Sequence, residues 1–166
     1  MRIEYLCDHN HWAETLAAWH YREWQALLPE WSEADALAEL CTHVHRCHLP
    51  TTLLALNDGQ LLGSVSLLIE DHPQLGYLSP WLASLYVIPA QRQKGVGSAL
   101  VKALIAEARM LEIDTLHLYT EDGQSFYERL GWKSLDRARI NARVVTIMSY
   151  PVLAVPAFRS EPQPRS

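Results

Sequence analysis

The residues best able to do chemistry fall in one run, Leu85-Tyr86-Val87-Ile88-Pro89-Ala90-Gln91-Arg92-Gln93-Lys94-Gly95-Val96-Gly97-Ser98-Ala99-Leu100. A short apolar stretch, stopped by Pro89, passes into a loop with two glycines, and the loop opens a helical pattern. The first amides of a helix lack intrahelical partners and carry the positive end of its dipole, so such a start can hold pyrophosphate. Gly95 and Gly97 keep side chains off those amides, while Arg92 and Lys94 add positive charge. Three readings compete. A P-loop needs Gly-Lys-Ser/Thr, which is absent. A dinucleotide fingerprint needs a third glycine, and Leu100 stands in that place. The third reading is a helix start softened by glycine, with no ligand.

The surrounding sequence predicts the elements that must position this loop. Residues 3–6 read as a strand and 11–24 as a helix, with Trp12, Leu16 and Trp19 at helical steps. Ser32, with Asp35 three residues on, reads as the cap of a second helix whose stripe is Leu37, Leu40, Cys41 and Val44, ended by Pro50. Residues 51–56 and 61–69 read as strands joined by the hairpin turn Asn57-Asp58-Gly59. Residues 82–88 form a strand, 96–110 a long amphipathic helix, 115–120 a strand, and 124–130 a short helix closed by Gly131. Residues 132–136 and 143–150 complete an antiparallel pair. The class is α+β, with a mixed, mostly antiparallel central sheet, flanking helices and a central β-α-β crossover. Residues 1–154 are expected to form one domain, and 155–166, with three prolines and little apolar content, a flexible tail.

Composition narrows the function classes. The chain has 166 residues, 49% hydrophobic and 20% charged, which suits one folded core rather than disorder. Its net charge of −5 disfavours nucleic acid and mildly favours a cationic or amine substrate. The three cysteines, an odd number, argue against a disulfide framework. Cys41, His43, His45, Cys47 and His48 invite a metal reading, but their helical faces do not converge four ligands, and Cys41 reads as core. No metal is expected. No apolar run reaches the roughly 20 residues that cross a bilayer, and the first residues lack a signal-peptide layout, so no membrane partner and a cytoplasmic location are expected.

Arg-x-x-Gly-x-Gly, preceded by Leu-Tyr-Val-x-Pro and followed by a helix, resembles the acetyl-CoA motif of the GNAT superfamily of N-acetyltransferases. Ser125-Phe126-Tyr127-Glu128-Arg129-Leu130-Gly131-Trp132 resembles that superfamily's second signature. The likeness spans about 51–150 and extends to uncharacterised bacterial members. It is also similar to an N-terminal acetyltransferase branch that acts on acidic protein ends.

The resemblance implies an acetyl-CoA-dependent N-acetyltransferase with a primary amine as acceptor, a small molecule or a peptide N-terminus. The amides of Gln93, Lys94, Gly95, Val96, Gly97 and Ser98, with Arg92, would hold the pyrophosphate. Backbone groups of Leu85, Tyr86 and Val87 would pair with the pantetheine arm as a missing strand would, which requires the strands 82–88 and 115–120 to splay apart. Tyr127 would be the general acid, since a phenol of pKa ~10 is protonated at neutral pH and can supply a thiolate. The alternative for Tyr127 is a packed aromatic. Trp31, Trp81, Glu70 and Glu121 are the acceptor-side candidates, with Trp24 and Glu30 beside them. Glu70, Asp71, His117, Glu121 and Asp122 are candidates for deprotonating the amine, because Thr115 and Thr120 replace the family's usual glutamate and asparagine. No cysteine lies beside the coenzyme motifs, which favours direct transfer in a ternary complex. A catalytically silent acyl-CoA-binding regulatory module is the alternative. Homodimers recur in the superfamily, so a homodimer is among the expected states.

Overall fold

The computed structural model describes residues 1–154; the expected C-terminal tail lies outside the described residues. Strand β1 (Arg2–Tyr5) leads through two short 3-10 turns to helix α1 (Ala13–Trp24) and helix α2 (Glu33–Cys41). Strands β2 (Thr51–Asn57), β3 (Gln60–Leu68) and β4 (Trp81–Val87) form an antiparallel meander. Helix α3 (Val96–Met110) crosses to β5 (Thr115–Thr120), and α4 (Gln124–Arg129) precedes the hairpin β6 (Lys133–Ile140) and β7 (Arg143–Pro151). The seven strands lie in the order β1-β2-β3-β4-β5-β7-β6, and β4 and β5 are the parallel neighbours. The expected order and class are therefore present. None of the helices among the described residues is long and apolar enough to cross a membrane.

Alternation along β2 divides the core. Leu53 and Ala55 pack against Leu100, Val101 and Leu104 of α3, while Leu54 and Leu56 meet Leu16 and Ala17 of α1 and Ala36 and Leu40 of α2. Asp58 and Gly59 take φ of 50° and 74°, the paired positive φ of a tight hairpin. Ser32 caps α2 as its sequence suggests: Asp35 N–H donates to Ser32 Oγ at 3.0 Å, and Ser32 N–H donates to Asp35 Oδ2 at 2.9 Å.

The second helix is shorter than its apolar stripe implies. Thr42 ends α2, its hydroxyl donating to the Glu39 carbonyl at 2.7 Å, and the chain then leaves helical geometry. Cys41 and Val44 are consequently exposed, a correction to their expected place in the core. The same turn sends His43 inward, where its Nδ1 lies 2.7 Å from Thr52 Oγ1, itself 2.7 Å from Ser66 Oγ. His20 of α1 reaches Ser64 Oγ at 3.1 Å. Burial holds both imidazoles neutral, pulling His20 down to about 3 and His43 to about 4.

Candidate active site

The site begins where β4 breaks its register. Ser64 faces Tyr86 but Ser66 faces Ala83, so Ser84 and Leu85 together oppose Val65, and Ser84 takes φ of 54°. This bulge bends β4 away from β5. The two strands pair only at Trp81 and His117, and beyond that point they diverge as the splay expectation requires. Ile88 N–H donates to Leu62 O on the β3 side, so by alternation the Leu85 and Val87 backbone groups face the opening.

A groove of about 570 Å³ fills the opening. Leu85, Tyr86, Val87, Arg92, Gln93, Gly95, Gly97 and Ser98 line it, as do Glu23, Phe126, Arg129 and Leu130. Gly95 caps α3 with φ of 86°, a conformation that L side chains rarely adopt, and a Cβ there would meet nothing within 4 Å. The start of α3 thus has open space on the side where a Gly95 side chain would stand. A Cβ on Gly97 would sit 3.4 Å from Phe126 Cζ, in van der Waals contact with the ring that walls the groove. A bare helix start, a free strand edge and apolar walls fit a pyrophosphate joined to an extended amide-bearing arm.

The phosphate contacts expected over residues 93–98 are backbone amides, and two of the side chains in that run stay out of the groove: Lys94 is exposed and Val96 is buried in the core. Arg92 turns back over the strand: its Nε donates to Val87 O at 2.9 Å, its guanidinium lies 5.5 Å from the Tyr86 ring centre, and Glu23 is 4.0 Å away. The residue therefore braces β4 as well as charging the groove.

A second cleft of about 880 Å³ shares Glu23, Leu85 and Phe126 with the groove. Tyr127 lines it, 9% exposed. Gly123 admits the tyrosine ring, since a Cβ there would lie 2.8 Å from Thr120 Oγ1 and 3.3 Å from Tyr127 Cε2. Thr120, in the place of the family's asparagine, accepts the Gly123 N–H at 2.9 Å and so shapes that turn. Burial raises the Tyr127 phenol well above its ordinary value and keeps it protonated.

Trp31 and Glu121 line this cleft; Trp81 and Glu70 do not. Trp81 is fully buried, its Nε1 donating to Leu78 O at 2.8 Å, and it packs with Leu27 and Ile147. Its place at the first paired position of β4 points the indole into the core, which corrects the expected acceptor-wall role. Glu70 is exposed outside the cleft. His117, expected as a proton acceptor, instead faces the Pro80 carbonyl at 3.2 Å behind Trp81. Glu121 is paired with Arg143 at 3.0 Å.

Asp71 stands apart among the proton-accepting candidates. It lines the cleft, and burial, with the Glu39 carboxylate next in effect, pushes it up to about 7. Glu39 is itself raised by burial, against the hydrogen bond it accepts from Trp31 Nε1 at 3.0 Å. Tyr119 beside them is raised above its ordinary value, chiefly by burial. Sequence reasoning did not single out Glu39 or Tyr119, which sit in regular elements and carry no motif, and it gave Phe126 no role beyond its place in the second signature.

Comparisons with known proteins place the fold among solved structures. No curated protein sequence matches the chain. Among solved structures, an aminoglycoside 6'-N-acetyltransferase complexed with coenzyme A superposes with a TM-score of 0.74 at 18% identity, over 94% of this chain and 99% of that one. The aminoglycoside 6'-N-acetyltransferase from Enterococcus faecium gives 0.72 at 18% identity, over 94% and 99%. The ribosomal-protein-S18-alanine N-acetyltransferase from Escherichia coli gives 0.57 at 19% identity, over 77% and 81%. The model of the acetyltransferase (GNAT) family matches residues 13–132, a span that takes in both motifs and the splayed strands between them. The chain belongs to the acetyltransferase (GNAT) family.

Proposed function

We propose that this acetyltransferase moves acetyl from acetyl-CoA to a primary amine by direct attack, with both substrates bound together. The observation that carries the reading is the junction of groove and cleft at Leu85 and Phe126, with Tyr127 on the cleft side. Acetyl-CoA, when bound, supplies an acetyl group activated as a thioester. The amides opened by Gly95 and Gly97 hold its phosphates, and Leu85 and Val87 fix its arm against β4. Asp71 takes one proton from the incoming ammonium, the nitrogen–carbon bond forms as the carbon–sulfur bond breaks, and Tyr127 gives its proton to the departing sulfur. The second proton leaves the nitrogen as the amide forms and restores the phenol, and Asp71 returns its proton to solvent, so one ammonium and one thioester give one amide, one thiol and one proton. Acceptors named for the structural neighbours, an aminoglycoside in one case and a protein alanine in another, are all amines.

The test is release of free coenzyme A from acetyl-CoA with a panel of amines and short peptides. Release that depends on an amine supports transfer. Tight acetyl-CoA binding without release for any acceptor favours the silent regulatory module.

A further inference from the structure

The cleft beside Tyr127 holds the uneven charge of the molecule. Six carboxylates line it without reaching the coenzyme groove: Glu30, Asp35 and Glu39 from α2 and the segment before it, Asp71 after β3, and Glu121 and Asp122 after β5. Among the described residues its one guanidinium is Arg143, already paired with Glu121. Of the chain's 19 acidic and 14 basic residues, seven and one line the cleft once Glu23 at its junction with the groove is included, so the remainder is close to balanced at 12 acidic and 13 basic. The chain's excess of acidic over basic residues is therefore concentrated around one cavity.

Like charges gathered around one cleft repel one another and attract a cation to it, even where most of the carboxylates are solvent-exposed. The cleft also presents flat walls, from Trp24, Trp31 and Tyr119, that suit a carbon skeleton and the ammonium groups it carries. The Tyr127 hydroxyl, on a side chain nine-tenths buried, forms no hydrogen bond among the described residues and faces the same space.

We propose that the acceptor is a compact organic polycation, a carbon skeleton bearing two or more primary ammonium groups. One nitrogen loses its proton and is acetylated; the others stay charged against the carboxylates farther along the cleft. The inference rests on the amine-acetyltransferase reading above. It sets aside peptides with acidic first residues, which this cavity repels.

Steady-state acetylation of n-pentylamine, cadaverine, spermidine, kanamycin and a Ser-Glu-Glu peptide tests it, at about 20 mM and about 300 mM salt. At low salt, kcat/KM for the polycations is expected to exceed that for n-pentylamine at least about tenfold, and the ratio to shrink severalfold at high salt. The linear and amino-sugar arms tell which skeleton the cavity takes. Glu30→Gln with Asp122→Asn is expected to lower the cadaverine to n-pentylamine ratio at least about threefold. Equal efficiency for mono- and polycations, or preference for the acidic peptide, overturns the substrate class and leaves the transferase reading intact. No acetyl-CoA binding by calorimetry, or no coenzyme A release with any amine, overturns that reading and this inference with it.

Discussion

Asp71→Asn is expected to make the protein more stable and less active at the same pH. The carboxyl rises from an ordinary 3.8 to about 7 in the cleft, first through burial and then through Glu39. Below pH ~4 the side chain is neutral in both folded and unfolded chains, and asparagine matches it. Between about 4 and 7 the unfolded chain ionises and the folded one does not, so the wild type loses stability as pH rises. Above about 7 the loss is complete. Three units correspond to roughly 4 kcal/mol, and solvent contact at this partly exposed residue reduces that to about 2–4 kcal/mol. For a chain of this size that is a gain of on the order of 5–10 °C in Tm at pH 8 for the variant, and almost none at pH 4. Urea unfolding across this range measures it. In parallel, kcat/KM of the wild type is expected to rise with pH to a bend near 7. The variant is expected to lose that bend and about 100-fold or more in rate. A variant whose stability gap does not change with pH, or whose rate keeps the bend, refutes the assignment of Asp71.

Tyr127→Phe is expected to lower kcat about 100-fold or more while leaving acetyl-CoA affinity within a few-fold, read by single-turnover kinetics and calorimetry. Gly97→Glu is expected to abolish measurable acetyl-CoA binding, because its side chain enters the space between α3 and Phe126; unchanged affinity would move the phosphate seat elsewhere. His20 and His43 ionise in the unfolded chain near 6.5 but only at about 3 and about 4 when folded, so stability present above pH ~6.5 drains away on acidification. His43→Asn is expected to flatten that part of the unfolding curve. Arg92→Met is expected to weaken acetyl-CoA binding several-fold, with hydrogen exchange at Ile88 accelerated once the brace on the Val87 carbonyl is gone.

Much of this layout was readable before any coordinates. The α3 helix and the β5 strand have the bounds that their periodicity implies, because each has a clean apolar face and a clear stop. The glycine loop was legible because glycine is needed where φ is positive, and Gly95 is such a place. Failures came where burial and direction decide. Trp81 and Trp31 look alike as aromatics near the site, yet one fills the core and the other walls the cleft. Cys41 continued an apolar stripe on paper, while Thr42 ended the helix. Asp71 was one carboxylate among several; burial in the cleft and then Glu39, distant in sequence, set its ionisation apart.

The acceptor cleft is assembled from the α1–α2 segment, the loop after β3 and the turn after β5. Most of these stretches link elements rather than belong to the strand ladder, and substitutions at exposed linker positions usually change stability by only about ±0.5 kcal/mol. Acceptor preference can therefore drift in descendants of this chain one exposed residue at a time, with little cost to folding except at half-buried positions such as Asp71. The coenzyme side has no such latitude, because its glycines and strand edge are the scaffold itself. Diversification is channelled to one rim, and the donor is inherited unchanged.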